Sequence, residues 1–441
     1  MSRSGTPGTG AAGGSGDNKK IYIVDVTNRD GVQTSRLGLA KLEKTIINML
    51  LDEMGIWQSE FGFPTTRHEV NYLRANLELV EMGAIHHTRL SGWVRAIPED
   101  VALARELVPE LKHINVSIST SDQMIRGKWN GRYGFEDVVR MMCDALDAAA
   151  DLGFVDVGVN AEDASRTSDQ HLVAFAQAAR EHGAVRLRYC DTLGFNDPFT
   201  IYDRIRLLAE ESGIDIELHC HNDLGMAVAC SVCGARGALD GGVNAFINTT
   251  INGMGERAGN ADLVSVILAI KKSSLFDGED VLDDSINLMA AWKTAKYASY
   301  AFGVPIPINQ PGVGDNAFAH ESGIHADGAL KSRRNYELYD YEELGRGEPE
   351  IIETGRNITL GEYSGIKGFR NVYEKLEVEF QSDEEARDIL ELVRYANVST
   401  QKPLVEDELL FIARYPQQAR KILTLDPSHV KINRNLQEGI A

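Results

Sequence analysis

The 441-residue sequence predicts an α/β fold, a (β/α)8 TIM barrel followed by a smaller α-rich C-terminal region. Three observations predict it. From Ile21 onward, short strand-like runs alternate with amphipathic helical runs, the signature of a parallel sheet with crossover helices. Eight such units can be counted, and they fill about 250 residues, the usual length of a closed barrel. Polar and charged residues gather where the strand-like runs end, the face on which barrels carry their chemistry. A doubly wound open sheet is the alternative, but no G-x-G-x-x-G opens the first helix.

In chain order, strands are expected at 21–26, 56–60, 88–93, 113–119, 155–160, 185–190, 215–220 and 243–248. Helical patterns follow them, for instance over 41–54, 65–82, 135–151, 197–211 and 226–238. Gly55, Gly83, Gly153, Gly183 and Gly213 each stand just before the next strand, where glycine ends helices. Beyond Ala269 the composition changes. Residues 271–284 are polar and acidic and read as a linker, and Ser285 is expected to cap a helix that runs to Phe302 before Gly303 and Pro305 stop it. Helical patterns return at 383–395 and 405–415. The expected organisation is a flexible tail over 1–20, a catalytic barrel over 21–270, a linker and helical subdomain contributing to the site over 271–335, and an α-rich subdomain over 336–441.

Composition narrows the partners. The formal net charge is −20 with no long basic run, which argues against nucleic acid or an anionic membrane as the main partner. No apolar run approaches the roughly 20 residues of a membrane span, and the opening segment, rich in Gly, Ser and Thr, lacks the apolar core of a signal peptide. Five cysteines, an odd number, fit a reducing compartment, so a cytoplasmic location is expected. Cys230 and Cys233 form a single C-x-x-C inside a helical pattern and read as packed helix cysteines.

The stretch from Leu218 to Gly225, L-H-C-H-N-D-L-G, closes the seventh strand. Residues two apart in a strand face the same way, so His219 and His221 present both imidazoles to one side. Spacing alone leaves open that one packs and the other is solvated. Other strand ends add to it: T-N-R-D-G-V-Q (27–33) after the first, A-E-D-A-S-R-T (161–167) after the fifth, D-T-L-G (191–194) after the sixth and G-M-G-E-R-A-G-N (253–260) after the eighth. Asp30, His219, His221 and Asn260 can therefore converge on one divalent ion at the barrel mouth.

These stretches, with H-E-S-G-I-H-A-D-G (320–328), resemble the motifs of the 2-isopropylmalate synthase and homocitrate synthase family of metal-dependent barrel enzymes, in order from Ile21 to about Tyr415. Within it, D-V-T-N-R-D-G-V-Q-T and S-E-F-G-F-P-T-T-R-H-E look most like the members that join acetyl-CoA to oxaloacetate. The resemblance implies that Asp30, His219 and His221 hold the metal with Asn260, the ion being manganese, magnesium, zinc or cobalt. It further implies that Arg29 meets charge growing on the former keto oxygen, that Gln33 serves the substrate, and that Thr192 donates to the substrate carboxylate. His325, supported by Glu162, would take a proton from the acetyl methyl group, reaching the site from a neighbouring subunit, so a homodimer is implied.

The family's usual first motif reads T-L-R-D-G-E-Q, and Asn28 and Val32 depart from it, which bears on the identity of the 2-oxo acid. Too few residues follow Gly365 to hold the leucine-sensing domain of many isopropylmalate synthases. A dicarboxylic acceptor needs a donor for its far carboxylate, and Arg89, Arg166 and Arg188 are the arginines near strand ends, with Arg166 taken as the substrate ligand. Oxaloacetate is the expected acceptor. 2-Oxoglutarate, as in a homocitrate synthase, comes next, followed by the acceptors of 2-isopropylmalate or citramalate synthases. A metal-dependent aldolase or acyl-CoA lyase is the alternative from another class. A carboxyltransferase with a modified lysine is disfavoured because no Lys follows any of the eight strands, and a non-catalytic binding protein by the ionisable residues at the mouth.

Overall fold

The structure is a computed structural model that describes residues 19–349 and 357–429. The expected tail lies outside the described residues except for Lys19 and Lys20, as do 350–356 and 430–441 of the C-terminal subdomain. Eight parallel strands close into a barrel in sequence order: β1 Ile21–Asp25, β2 Gln58–Gly62, β3 Arg89–Arg95, β4 His113–Ser119, β5 Asp156–Glu162, β6 Arg186–Asp191, β7 Asp215–Cys220 and β8 Ala245–Thr249. Their helices are α1 Lys41–Glu53, α2 Val70–Glu81, α3 Pro98–Leu107, α4 Asp122–Trp129, α5 Phe135–Asp151, α6 Asp169–Glu181, α7 Pro198–Ser212, α8 Ala227–Asp240 and α9 Leu263–Lys272. The β4 connection carries two helices, α4 and α5. Ser121 starts α4 by accepting a hydrogen bond from the Met124 N–H.

Alternation along the strands separates two environments. Outward residues such as Ile23, Ile114, Val116, Leu187, Ile216, Leu218 and Ile247 are fully or almost fully buried against the helices and form the main apolar core. Each such side chain contributes about 1.5–3 kcal/mol by leaving water. Inward residues are mostly polar. At the bottom, Trp57, Tyr22 and Phe246 make a small aromatic floor, with Tyr22 and Phe246 stacked at 5.0 Å and the Arg186 guanidinium 4.9 Å from the Trp57 ring centre. Above it, Gln58, Glu60, Asn115, Arg188, Glu217 and Asn248 fill the middle of the barrel as one buried hydrogen-bonded layer.

The segment expected to be a linker is part of the barrel. Phe276, Val281 and Leu282 bury their side chains; the Ile21 N–H donates to Val281 O at 2.6 Å and the Asp283 N–H to Ile21 O at 2.9 Å, so this segment clamps β1. Three apolar residues among many acidic ones give little sequence signal, yet they decide the packing. The next helix, α10 Ala291–Phe302, starts later than expected: Ser285 does not cap it, and the chain enters it through a 3-10 turn, Leu288–Ala290, that Asn287 caps by accepting from the Met289 N–H. After α11 Gly323–Lys331 come α12 Ile366–Lys375, α13 Asp383–Thr400, α14 Glu406–Arg414 and α15 Pro416–Leu423. These last four share the main apolar core with the barrel helices. Lys402 pairs with Glu43 of α1 at 2.7 Å, and Tyr297 of α10 donates to the buried Glu408 at 3.0 Å. By contrast, α11 buries none of its residues. Among the described residues no helix is long and apolar enough to cross a membrane, and all five cysteines are free.

Candidate active site

After β1 the chain turns sharply. The N–H groups of Arg29, Asp30 and Gly31 all donate to Val26 O, which lifts Arg29 and Asp30 over the barrel mouth. From β7 come His219 and His221, their rings perpendicular and 5.0 Å apart. The β8 loop places Asn260, which bridges to His221 through backbone pairing. Glycine is required beside it: Gly259 has φ +86°, and a Cβ there would lie 1.9 Å from the Gly253 carbonyl oxygen. Thr192 is held by accepting the Asp163 N–H at 2.9 Å.

Asp30, His219 and His221 bring one carboxylate and two imidazoles within coordinating range of each other. His219 Nε2 and His221 Nε2 are 3.7 and 3.9 Å from Asp30 Oδ2. Burial lowers the pKa of both histidines against the pull of Asp30, which leaves them as neutral ligands. For Asp30, burial acts upward but Arg29, the two histidines and Asn260 outweigh it, and the carboxyl is held far below its usual range. His219 Nδ1 faces Asn248 Oδ1 at 3.1 Å, and the Asn248 amide donates to Glu217, so the ring's other nitrogen is turned to Asp30. Asn260 Nδ2 donates to Asp30 at 2.6 Å, while Asn260 Oδ1 and His221 Nδ1 are buried without a partner. A deprotonated carboxylate, neutral imidazoles and an orphaned amide oxygen are the donor set a divalent ion takes, so these residues fit one.

Beneath the cluster an ionic layer fixes Arg29. Its Nε donates to Glu60 at 2.6 Å and its Nη1 to Asp30 at 2.8 Å, so the ion pair inside the barrel and the place beside the metal cluster are one arrangement. Glu60 also takes Arg188 at 2.9 Å; burial would raise its pKa, but Arg188 and Arg29 bring it down to about 2. Arg188 pairs in turn with Glu217, which Arg186 meets at 2.6 Å. A cavity of about 720 Å³ opens above, lined at this end by Arg29, Asp30, Gln33, Thr192, His219 and His221.

Glu162 lines the same cavity, but its partners in this chain are Lys128, at 2.6 Å, and the Ser119 hydroxyl. His325 does not line it. It stands exposed on α11, stacked on Tyr336 with ring centres 4.3 Å apart. Two arginines are placed elsewhere. Arg89 opens β3, so it sits at the barrel's opposite end, over the Trp57 ring. Arg166 folds back onto Asp163 at 2.7 Å and faces a separate hollow with Thr120, Ser168, His171 and Arg204. The reason is local: Asp163 has φ +63° and starts a tight turn that carries Arg166 outward. Arg188 forms part of the cavity wall, with its guanidinium committed to two carboxylates. Asn28 donates to Lys44 O and Asn48, and Val32 packs on the main core, so neither departure from the family motif lines the cavity.

Sequence reasoning gave no role to Trp93, Arg95, Lys128, Asn160, Glu256 and Arg257, all of which line the cavity, although Glu256 and Arg257 stand in the stretch 253–260 read at the end of the eighth strand. Arg95 ends β3 and Asn160 belongs to β5, so the strand-end rule had the means to find Arg95. Lys128 comes from α4, where no strand end marks it.

A closed barrel with a carboxylate and two imidazoles poised at its mouth defines a class of enzymes that work through a divalent metal site. The chain belongs to the HMGL-like family, which it matches over residues 20–297, and its residues 313–400 match the homocitrate synthase post-HMGL domain-like family. It is 62% identical to the citrate (Re)-synthase of Dehalococcoides mccartyi (strain CBDB1) over 92% of this chain and 99% of that one. It is 37% identical to 2-isopropylmalate synthase 2 of Caldanaerobacter subterraneus subsp. tengcongensis, over 89% of this chain and 95% of that one. The fold matches the hydroxymethylglutaryl-CoA lyase from Pseudomonas aeruginosa with a TM-score of 0.52 at 17% identity, covering 65% of this chain and 95% of the other.

Proposed function

We propose that the chain is a cytoplasmic enzyme that condenses acetyl-CoA with oxaloacetate in a Claisen-type reaction, hydrolysis of the citryl thioester then giving citrate. The observation that carries this reading is the 62% identity to a citrate (Re)-synthase along nearly the whole of both chains. Asp30, His219 and His221, with Asn260, would hold a manganese, magnesium, zinc or cobalt ion, which supplies Lewis acidity to a bound 2-oxo acid. Arg29, rigidly held by Glu60 and Asp30, presents its charge to the keto oxygen, and Thr192 with Gln33 orients the acid.

Taking the methyl proton of acetyl-CoA is assigned to His325 of a second copy, with Glu162 of this chain as its support, so the working unit is a homodimer. The exposure of His325, on a helix that buries none of its residues within the chain, supports that reading. Mixing inactive His325→Ala chains with inactive His219→Ala chains restores activity if the site is shared, because a mixed dimer regains one complete site. Mixed dimers that form and stay inactive would refute it. For the acceptor, kcat/KM is compared for oxaloacetate, 2-oxoglutarate and 2-oxoisovalerate. One methylene separates the first two and is worth about 1–3 kcal/mol in a pocket. Faster turnover of 2-oxoglutarate would make the enzyme a homocitrate synthase, and isotopic tracing of the citrate arm derived from acetate tests the Re face.

A further inference from the structure

A second hollow, of about 470 Å³, shares no lining residue with the mouth cavity. It lies between the start of α4 and the turn that leads from β5 into α6, with Arg204 of α7 in its wall. Every residue lining it is polar or charged, so an apolar ligand has nothing to meet there. The reaction proposed above gives it no role.

Each of its three arginines has an aspartate, so what the hollow offers is donors, not net charge. Arg204 pairs with Asp169 at 2.7 Å and donates to the carbonyls of Ala164, Ser165 and Thr167, which fixes the shape of the β5 turn. Arg166 meets Asp163 through Nε and Nη2, which leaves Nη1 over. Arg126 donates Nε to Asp122 O, and its Nη2 stands 3.7 Å from the Asp122 carboxylate, beyond hydrogen-bond range, so both Nη groups are left for a ligand. The start of the 13-residue α6 adds its positive end, with Ser168 accepting the His171 N–H and the His171 ring held flat against Phe135 at 3.9 Å. Ser165 is a further sign of a missing partner: its hydroxyl is buried and unpaired, and the residue forms part of the wall. Guanidinium donors from two elements, a helix N-terminus and hydroxyls suit a group that carries several anionic oxygens on one centre.

One turn separates this hollow from the mouth. Glu162 lines the mouth cavity, and its carbonyl accepts the N–H of Thr120, a residue of the hollow, at 2.9 Å. The Asp163 N–H donates to Thr192 of the mouth at 2.9 Å, while the Asp163 carboxylate holds Arg166. We propose that the hollow binds the phosphoryl group of an effector that is neither substrate, and that its occupancy is felt at the mouth through the Glu162–Asp163 turn. The test is calorimetric titration of inorganic phosphate and of AMP into the metal-loaded full-length protein, with and without saturating CoA. The titrations are repeated in the Arg126→Ala/Arg166→Ala double variant and in Arg126→Glu, whose side chain is 72% exposed and safe for folding; metal content and the melting temperature are the controls. Binding that CoA does not displace, weakened about tenfold or more in both variants, is expected. Tighter binding of AMP points to a nucleotide and tighter binding of phosphate to the free ion. Turnover at saturating substrates should shift about twofold or more with the better probe in the wild type and stay level in the variants. No binding of either probe, equal binding by the folded variants, or displacement by CoA would overturn the site, whatever becomes of the proposed reaction. Binding that leaves turnover unchanged would overturn the coupling.

Discussion

Neighbouring residues of β7 live in opposite worlds. Leu218 points outward into an aliphatic core, while Glu217 and His219 point inward to an ionic layer and the cluster of Asp30 with the two histidines. Parallel strands buried on both faces usually read as continuous apolar runs. Here the inner face is charged yet almost dry, with Arg186, Arg188, Glu60 and Glu217 all nearly inaccessible. The outer face holds the barrel together by area removed from water. The inner face is held by pairing, which fixes direction: the Arg188 guanidinium is oriented by Glu60 and Glu217, that of Arg186 by Glu217 and the Gln58 amide oxygen, and Arg29 inherits its position from that layer.

The contrast can be broken most severely at the cluster. His221→Ala is expected to lower activity by about 10³-fold or more while the barrel stays folded, because an inner ligand is lost and the wall is untouched. Bound metal by elemental analysis and turnover check it, and full activity of the variant after exhaustive chelation would defeat the metal reading.

Next in size come the two faces themselves. Arg188→Met leaves Glu60 and Glu217 short of a partner and is expected to cost about 3–5 kcal/mol in urea unfolding. Leu218→Ala, from the neighbouring strand's outer face, is expected to cost about 2–5 kcal/mol through a cavity. Similar totals would have different signatures, since only the first changes the response to pH.

That response has a definite sign. The Glu60 pKa is lowered from an ordinary 4.5 to about 2, so its contribution to stability is complete above 4.5 and is lost as pH falls toward about 2. Acid unfolding followed by circular dichroism should therefore show a loss of stability across that window that is shallower in Glu60→Gln. The smallest effect is expected at Arg166, whose side chain faces another hollow: Arg166→Ala should change kcat/KM for the acceptor by less than about threefold.

The barrel was legible because strands and helices alternate and because glycines close the helices; strand bounds agree to within about two residues. The H-x-H pair and the T-N-R-D turn were legible as site elements because strand ends converge in this architecture. The ionic layer was not. Alternating polar residues such as Gln58, Glu60, Arg186, Arg188 and Glu217 read as a solvated face in a single strand, and only closure turns that face inward. Arg89 and Arg166 were misplaced for the same kind of reason, since closeness to a strand says nothing about which end it occupies or which way a turn sends the side chain.

The clamp on β1 has a consequence for how the chain is made. Residue 21 is synthesised long before its partners in β8 and at residues 281–283. At about 5–20 residues per second, the interval between them is roughly 13–50 s of synthesis. Until then the nascent chain carries an open sheet whose first strand lacks one neighbour, an edge that invites pairing with other chains. Closure is thus a late, long-range event in biogenesis, and a nascent chain stalled before residue 281 should be captured by chaperones that a chain stalled well beyond it escapes.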